Sequence, residues 1–243
     1  MKRIFVFFIS YLFLGCLIVL SQKIETEKKI TAKVVNEDTT AINNKNSYGL
    51  RIGIDLSKPA QSFVESEFTG FSIVGDFRIS PNIFLAAEVG TESTTLEFPR
   101  LTVSGAGSFI KGGFNYNFYD NWFGERNLIF VGARLGFATF NQTIESFTVS
   151  SQDFLFEQDT RNTPQEFTGL NAFWLEIQVG IQFEVLRRVY VGLNFQIQNR
   201  LAETAPDGFQ NVFIPDFGEP TEGSSFSVGF GYTVSYFIPF FKK

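Results

Sequence analysis

Across residues 48–241 the chain alternates apolar and polar side chains with a period of two. The clearest run sets Phe173, Leu175, Ile177, Val179, Ile181, Phe183 and Val185 against Trp174, Glu176, Gln178, Gly180, Gln182 and Glu184. Successive side chains of a strand point to opposite faces, so this pattern predicts a strand with one apolar and one polar face. Val189, Val191, Leu193, Phe195 and Ile197 repeat the rule, as do Phe226, Val228, Phe230, Tyr232, Val234, Tyr236 and Ile238. Five earlier runs, around residues 48–56, 70–79, 83–90, 110–118 and 129–137, behave alike. The reading is about eight strands, most of ten or more residues. Strands in soluble proteins average about five or six residues, whereas membrane-spanning strands need about 9–11.

The connections also alternate. Residues 57–67, 94–102, 143–170 and 202–223 read as the longer ones, 80–82 and 186–188 as tight turns, and 119–127 as the connection after the fourth strand. In an up-and-down sheet the two kinds fall at opposite ends, as in barrels with short periplasmic turns and long outer loops.

Alternation alone does not say which face is buried, because a lipocalin-like soluble barrel alternates too. The polar face settles the direction. It carries Gly49, Gly53, Gly70, Gly90, Gly113, Gly132, Gly136, Gly180, Gly192, Gly229 and Gly231. Glycine weakens a strand unless something approaches closely, and the lumen of an eight-stranded barrel is just wide enough for its own side chains. The same face holds Asp55, Asp76, Glu88, Glu176 and Glu184 against Arg51, Arg78, Lys111, Arg134 and Arg200. Arg suits planar, buried ion pairing. The fold class predicted is therefore all-β: an eight-stranded antiparallel up-and-down transmembrane β-barrel with a packed polar lumen. These ten charges are expected to act as one network, with Arg134 facing Glu176 across neighbouring strands. Aromatics at the short-turn end (Tyr48, Phe84, Phe118, Tyr119, Trp122, Phe123, Tyr190, Tyr236, Phe237, Phe240, Phe241) are expected to form an interfacial belt.

Ahead of this region, Lys2 and Arg3 precede an apolar stretch at residues 4–20, and the chain turns polar at Gln22. Residues 1–21 read as a secretory signal peptide. An uncleaved anchor and a lipidated Cys16 are the less favoured alternatives. Residues 22–47 read as a flexible periplasmic tail, and 48–243 as the barrel. Cleavage would remove Lys2 and Arg3 and make the chain more acidic than its formal net charge of −5.

Composition removes most chemistry. There is no histidine, and Cys16 is the only cysteine. Ser-His-Asp and Cys-His catalysis, His/Cys zinc sites and disulfides are excluded, and an acidic chain is a poor partner for nucleic acid. No cofactor is expected. A carboxylate-only glycosidase remains geometrically open through Asp55, Asp76 and Glu88, but the arginines sharing that face favour salt bridging. The acids of the two longest loops, Asp216 among them, read as solvated, without calcium-binding spacing. The same loops carry Phe154, Phe156, Phe209, Phe213 and Phe217. Apolar residues there fold over the mouth, touch lipid or dock a partner, and these five are the candidate docking positions.

With strand number, loop asymmetry and charged lumen in view, residues 48–241 resemble the small eight-stranded outer-membrane barrels of the OmpX and OmpA-membrane-domain type. The opening run Tyr48-Gly49-Leu50-Arg51-Ile52-Gly53-Ile54-Asp55-Leu56-Ser57 is similar to an uncharacterised family of such barrels from Bacteroidota. The resemblance implies the bacterial outer membrane, with the tail in the periplasm and lipid around the barrel. It implies no known activity. The expected role is a non-enzymatic structural or accessory subunit, able to meet another envelope protein through its tail or loops. The alternative is a barrel that binds or passes small or apolar molecules. Asp38-Thr39-Thr40 resembles the short acceptor sequence of Bacteroidota O-glycosylation, which makes Thr39 a candidate site. Outer-membrane barrels usually end on an aromatic residue, whereas here Lys242 and Lys243 follow Phe241.

Overall fold

A computed structural model describes residues 47–119, 127–149, 159–161, 164–206, 208–220 and 223–242. The signal peptide, tail and Thr39 readings fall outside these residues, as do Trp122, Phe123, Phe154 and Phe156. The elements in chain order are β1 (Ser47–Asp55), α1 (Ser57–Val64), β2 (Phe68–Arg78), β3 (Ile83–Phe98) and β4 (Leu101–Asn117). They continue with β5 (Leu128–Val149), the short β6 (Asp159–Arg161), β7 (Gln165–Leu186), β8 (Val189–Glu203) and β9 (Phe226–Lys242).

Every strand pairing is antiparallel. β1 pairs with both β2 and β9, and β4 pairs with β5. Among the described residues, eight strands therefore close into a ring, β1-β2-β3-β4-β5-β7-β8-β9, with β6 added to the far end of β5. Closure leaves no edge in the body of the sheet, which is how a barrel satisfies all of its backbone groups.

The polarity is inverted relative to a soluble barrel. Ile177 is 46% exposed, while its neighbour Glu176 is 0% exposed. Around the ring Ile54, Ile73, Val89, Ile110, Leu135, Val179, Phe195 and Val228 face outward, while Arg51, Glu88, Lys111, Arg134 and Gln198 are buried. The glycines make room inside. A Cβ on Gly136 would overlap the Trp174 indole, and one on Gly180 would overlap the Phe130 ring.

Three features depart from the sequence reading. Residues 94–102 are not a loop: β3 and β4 run on as a long hairpin and turn at Pro99 and Arg100. Pairing at Thr- and Ser-rich positions, Thr91 with Ser108 and Thr95 with Ser104 among them, continues the sheet past its apolar part. Residues 57–67 contain α1, whose first turn accepts Pro59 because the missing N–H has no partner there anyway. The Asp55 carboxylate accepts the Ser57 N–H at 2.8 Å and so starts the helix. Finally, the aromatics of the short-turn end do not form one belt. Phe118, Tyr236, Phe240 and Phe241 are exposed, but Tyr48, Phe84, Tyr190 and Phe237 are buried. Of these, Phe84, Tyr190 and Phe237 share strand faces with lumen residues and turn inward.

Candidate functional site

The lumen is filled in layers. The central layer gathers around Lys111 of β4, whose ammonium lies 3.1 Å from Glu88, 3.2 Å from Glu176 and 2.9 Å from Asp216. β3 delivers Glu88 and Glu92 to this level because positions 88, 90 and 92 share one face. Lys58, from the first turn of α1, reaches in to pair with Glu92 and, at 3.3 Å, with Asp216. Gln198 Nε2 donates to Glu176 at 3.2 Å and to the Asp216 carboxylate at 3.3 Å. Ser72 Oγ donates to Glu88 at 2.9 Å.

Asp216 comes from the connection between β8 and β9, which enters the barrel. Residues 214–218 form a tight turn closed by two backbone hydrogen bonds between Ile214 and Gly218, at 2.9 and 2.8 Å. Asp216 sits at its tip with φ 65°, a left-handed conformation that Asp tolerates better than most residues. Its N–H donates to Glu92 at 2.8 Å. The flanking Ile214 and Phe217 pack on Phe109, Ala138, Phe140, Leu170, Ala172 and Trp174. Val212 N–H donates to Gln142 at 2.8 Å, and Ser227 Oγ donates to the Phe217 carbonyl at 2.7 Å. The loop is thus a plug with an apolar shoulder and a charged tip.

Burial pushes the Asp216 carboxyl up, but the Lys111 and Lys58 ammonium groups outweigh it and hold the group below its ordinary range. Burial likewise pushes Lys58 down, and Asp216 and Glu92 outweigh that, holding it above its ordinary range. The charged form of each group is the stable one in the other's field.

A second layer lies toward the short turns. Arg51 and Asp76 form a close ion pair at 2.6 Å, with two further hydrogen bonds at 2.8 and 3.1 Å. The Arg51 guanidinium sits 4.9 Å from the Phe84 ring centre and 5.3 Å from that of Tyr190, and Arg78 covers Phe84 at 4.8 Å. Between the two layers is a cavity of about 50 Å³, lined by Asp76, Asn115, Arg134, Gln178, Gln182 and Gln196 among others. Its polar walls suit a few buried waters.

The ten charges predicted as one network therefore fall into separate groups. Glu88, Lys111, Arg134 and Glu176 meet in the central layer, and Arg51, Asp76 and Arg78 in the lower one. Asp55 accepts backbone N–H groups of Ser57 and Tyr232 rather than a cation. Glu184 accepts the Arg188 N–H and the Tyr190 hydroxyl, which ties the β7–β8 turn. Arg200 pairs at the rim with Glu203, at 3.2 Å. Arg134 and Glu176 stand opposite each other in register, but they do not form the expected pair. Glu176 turns to Lys111 and Gln198, while Arg134 reaches the Asn115 amide at 3.3 Å and Glu88 at 3.8 Å.

Two of the five docking positions are corrected as well. Phe213 and Phe217 are 5% and 2% exposed, because the plug buries them in the barrel mouth. Phe209 is half-buried. Asp216 is not a solvated loop acid. Lys58, Glu92 and Asp216 were missed as site residues. Glu92 was findable by carrying the alternation of β3 past Gly90. Lys58 and Asp216 lie in segments with no periodicity to read. The carboxylates weighed for glycosidase chemistry are each occupied by a cation or by amides. Among the described residues no group of three or more acidic side chains is placed to hold a metal ion.

A family model described as "Domain of unknown function (DUF6048)" matches residues 4–243, so the chain belongs to that family. No curated protein matches it. Among solved structures, the attachment invasion locus protein Ail of Yersinia pestis aligns at 7% identity and a TM-score of 0.38, over 79% of this chain and 98% of that one. CarO2 of Acinetobacter baumannii aligns at 10% identity and a TM-score of 0.38, over 81% of this chain and 100% of that one.

Proposed function

We propose that this member of a family of unknown function is an integral, non-conducting barrel of a bacterial outer membrane. In this reading it serves the envelope without enzymatic chemistry, as a structural or accessory subunit. The observation that carries the reading is the outward ring of Phe, Ile, Leu and Val around a buried, charged interior. In water that surface would be an aggregation liability far larger than the patches soluble proteins tolerate. In a bilayer it is the lipid face of a barrel, and the short turns lie on one side of the membrane, the plug and long hairpins on the other. The accessory role is supported by the two closed layers, which leave no wide path for solutes, and by hairpins extending past the apolar band.

The test has two parts. The folded barrel should fractionate with outer membranes and migrate faster on gels unheated than boiled. Recovery of a native, folded chain from the soluble fraction would end the membrane reading. Purification from native membranes in mild detergent should then bring a stoichiometric protein partner, whereas a lone barrel would remove the accessory role. A second reading, a barrel that binds small or apolar molecules, is favoured by the apolar cup under the plug.

A further inference from the structure

We propose that the 214–218 turn occupies, as an internal mimic, a binding cup for a small carboxylate bearing an apolar group. The cup is a feature of the barrel wall rather than of the loop. Phe109 comes from β4, Ala138 and Phe140 from β5, and Leu170, Ala172 and Trp174 from β7. Together they form an apolar pocket inside a lumen otherwise lined with Gln, Asn and charge. At its base three donors from three elements converge on one carboxylate: Lys58 Nζ at 3.3 Å, Lys111 Nζ at 2.9 Å and Gln198 Nε2 at 3.3 Å. The site thus has two halves, an apolar slot and an anion cradle, filled at present by Phe217 with Ile214 and by Asp216.

The central layer holds Lys58, Lys111 and Arg134 against Glu88, Glu92, Glu176 and Asp216. Withdrawing the turn removes one carboxylate and leaves three of each sign, so what favours an incoming carboxylate is local rather than net charge: Lys58, Lys111 and Gln198 each lose an acceptor, although Lys58 keeps Glu92 and Lys111 keeps Glu88 and Glu176. An incoming carboxylate restores the present arrangement. Moving the turn out keeps its own Ile214–Gly218 hydrogen bonds and breaks those that tie it to the barrel: Asp216 N–H to Glu92, Gln198 to the Asp216 carbonyl and Ser227 to the Phe217 carbonyl. The bound turn competes with any ligand, so the apparent affinity of the native protein is reduced by the fraction of molecules with the cup open.

The probe is 3-phenylpropionate, a phenyl ring on a carboxylate, with 3-phenylpropanamide as its uncharged counterpart. Trp122→Phe leaves Trp174, in the cup wall, as the only tryptophan and hence the reporter. In this background the full chain, folded in lipid nanodiscs, is titrated with and without Asp216→Ala. The variant should bind the acid at least about tenfold more tightly than the native loop allows, and more tightly than it binds the amide. Asp216→Ala with Phe217→Ala guards against a turn that stays seated. Equal response to acid and amide in both variants, or no binding in either, overturns the proposal.

A tether gives an independent arm. A Cβ on Gly105 would lie 3.4 Å from that of Phe213, close to disulfide spacing of about 3.8 Å. Gly105→Cys with Phe213→Cys in the Asp216→Ala background should lose binding when oxidised and regain it when reduced. Identical binding in both redox states would show that the probe sits elsewhere. Neither arm depends on the accessory reading, which is tested by the partner purification, and the gel-mobility shift checks that each variant is folded.

Discussion

The two closures of this lumen are built differently. The lower one is made by strand side chains alone: Arg51 and Asp76 paired at 2.6 Å under Phe84 and Tyr190, all fixed by the register of β1, β2, β3 and β8. The upper one is made by a guest, the β8–β9 loop, whose Asp216 tip meets Lys58 of α1 and Lys111 of β4. The first is carried by the strand ladder itself. The second can leave while every strand stays paired. Buried ion pairs do not necessarily add net stability, but each makes the loss of one partner costly. In the lower layer that cost falls on the fold, and in the upper layer on the position of a loop.

The largest effect should come from the residue that joins loop to barrel. Lys111→Met would leave Glu88, Glu176 and Asp216 around an uncharged centre, and a loss of about 3–5 kcal/mol is expected from urea unfolding in lipid. A loss under about 1 kcal/mol would mean that water reaches this layer and that it is not closed.

Next comes the lower layer. Arg51→Leu and Asp76→Leu should each cost about 3 kcal/mol, and the double variant should recover a good part of that. Combined with Lys111→Met, Arg51→Leu should add almost independently, because Arg51 pairs with Asp76 while Lys111 pairs with Glu88, Glu176 and Asp216. Strong coupling between Arg51 and Lys111 would reunite the layers into a single network.

A smaller effect discriminates register from contact. Arg134→Leu and Glu176→Leu lie opposite each other across β5 and β7 but engage different partners. Their double-mutant cycle should show coupling below about 1 kcal/mol. A coupling energy several times larger would place the two in direct contact.

The smallest effect at neutral pH is on the plug itself. The Asp216 pKa is held below its ordinary value of 3.8, so the folded loop binds that proton less readily than the free one. The stabilisation is fully present above that value and is lost as pH falls through the lowered pKa. Lys58, held above its ordinary 10.5, adds stabilisation present below that value and lost only as pH rises through its raised pKa. From these two groups alone, Trp174 fluorescence in the Trp122→Phe protein should stay flat around neutral pH and change in strong acid. Planar-bilayer recordings sharpen the contrast. Asp216→Ala should not produce a large stable conductance, because the lower closure remains; a persistent open channel would show that the plug alone seals the lumen.

Much of the barrel was legible without coordinates, for reasons that differ residue by residue. Glu176 and Ile177 are neighbours in sequence and opposite in environment, and alternation reports that difference directly. Gly136 and Gly180 announce crowding on the polar face, and the structure supplies the Trp174 and Phe130 rings that crowd them. Phe84, Tyr190 and Phe237 misled because an aromatic at a strand end looks the same whether it meets lipid headgroups or folds inward as a floor. Residues 94–102 misled because Thr and Ser at a hairpin tip mimic loop composition.

The amino-acid sequence by itself determined the period, the number of strands and which face is polar, since each follows from covalent neighbours and the two-residue repeat of an extended chain. The tertiary structure alone decided who pairs with whom inside. Asp216 meets Glu92 across 124 residues of sequence, and Lys58 meets Asp216 across 158. Neither contact leaves a local trace. A loop's burial depends on the space the closed ring leaves for it, and the lumen partners of a charge depend on strand register and tilt, which no single strand contains.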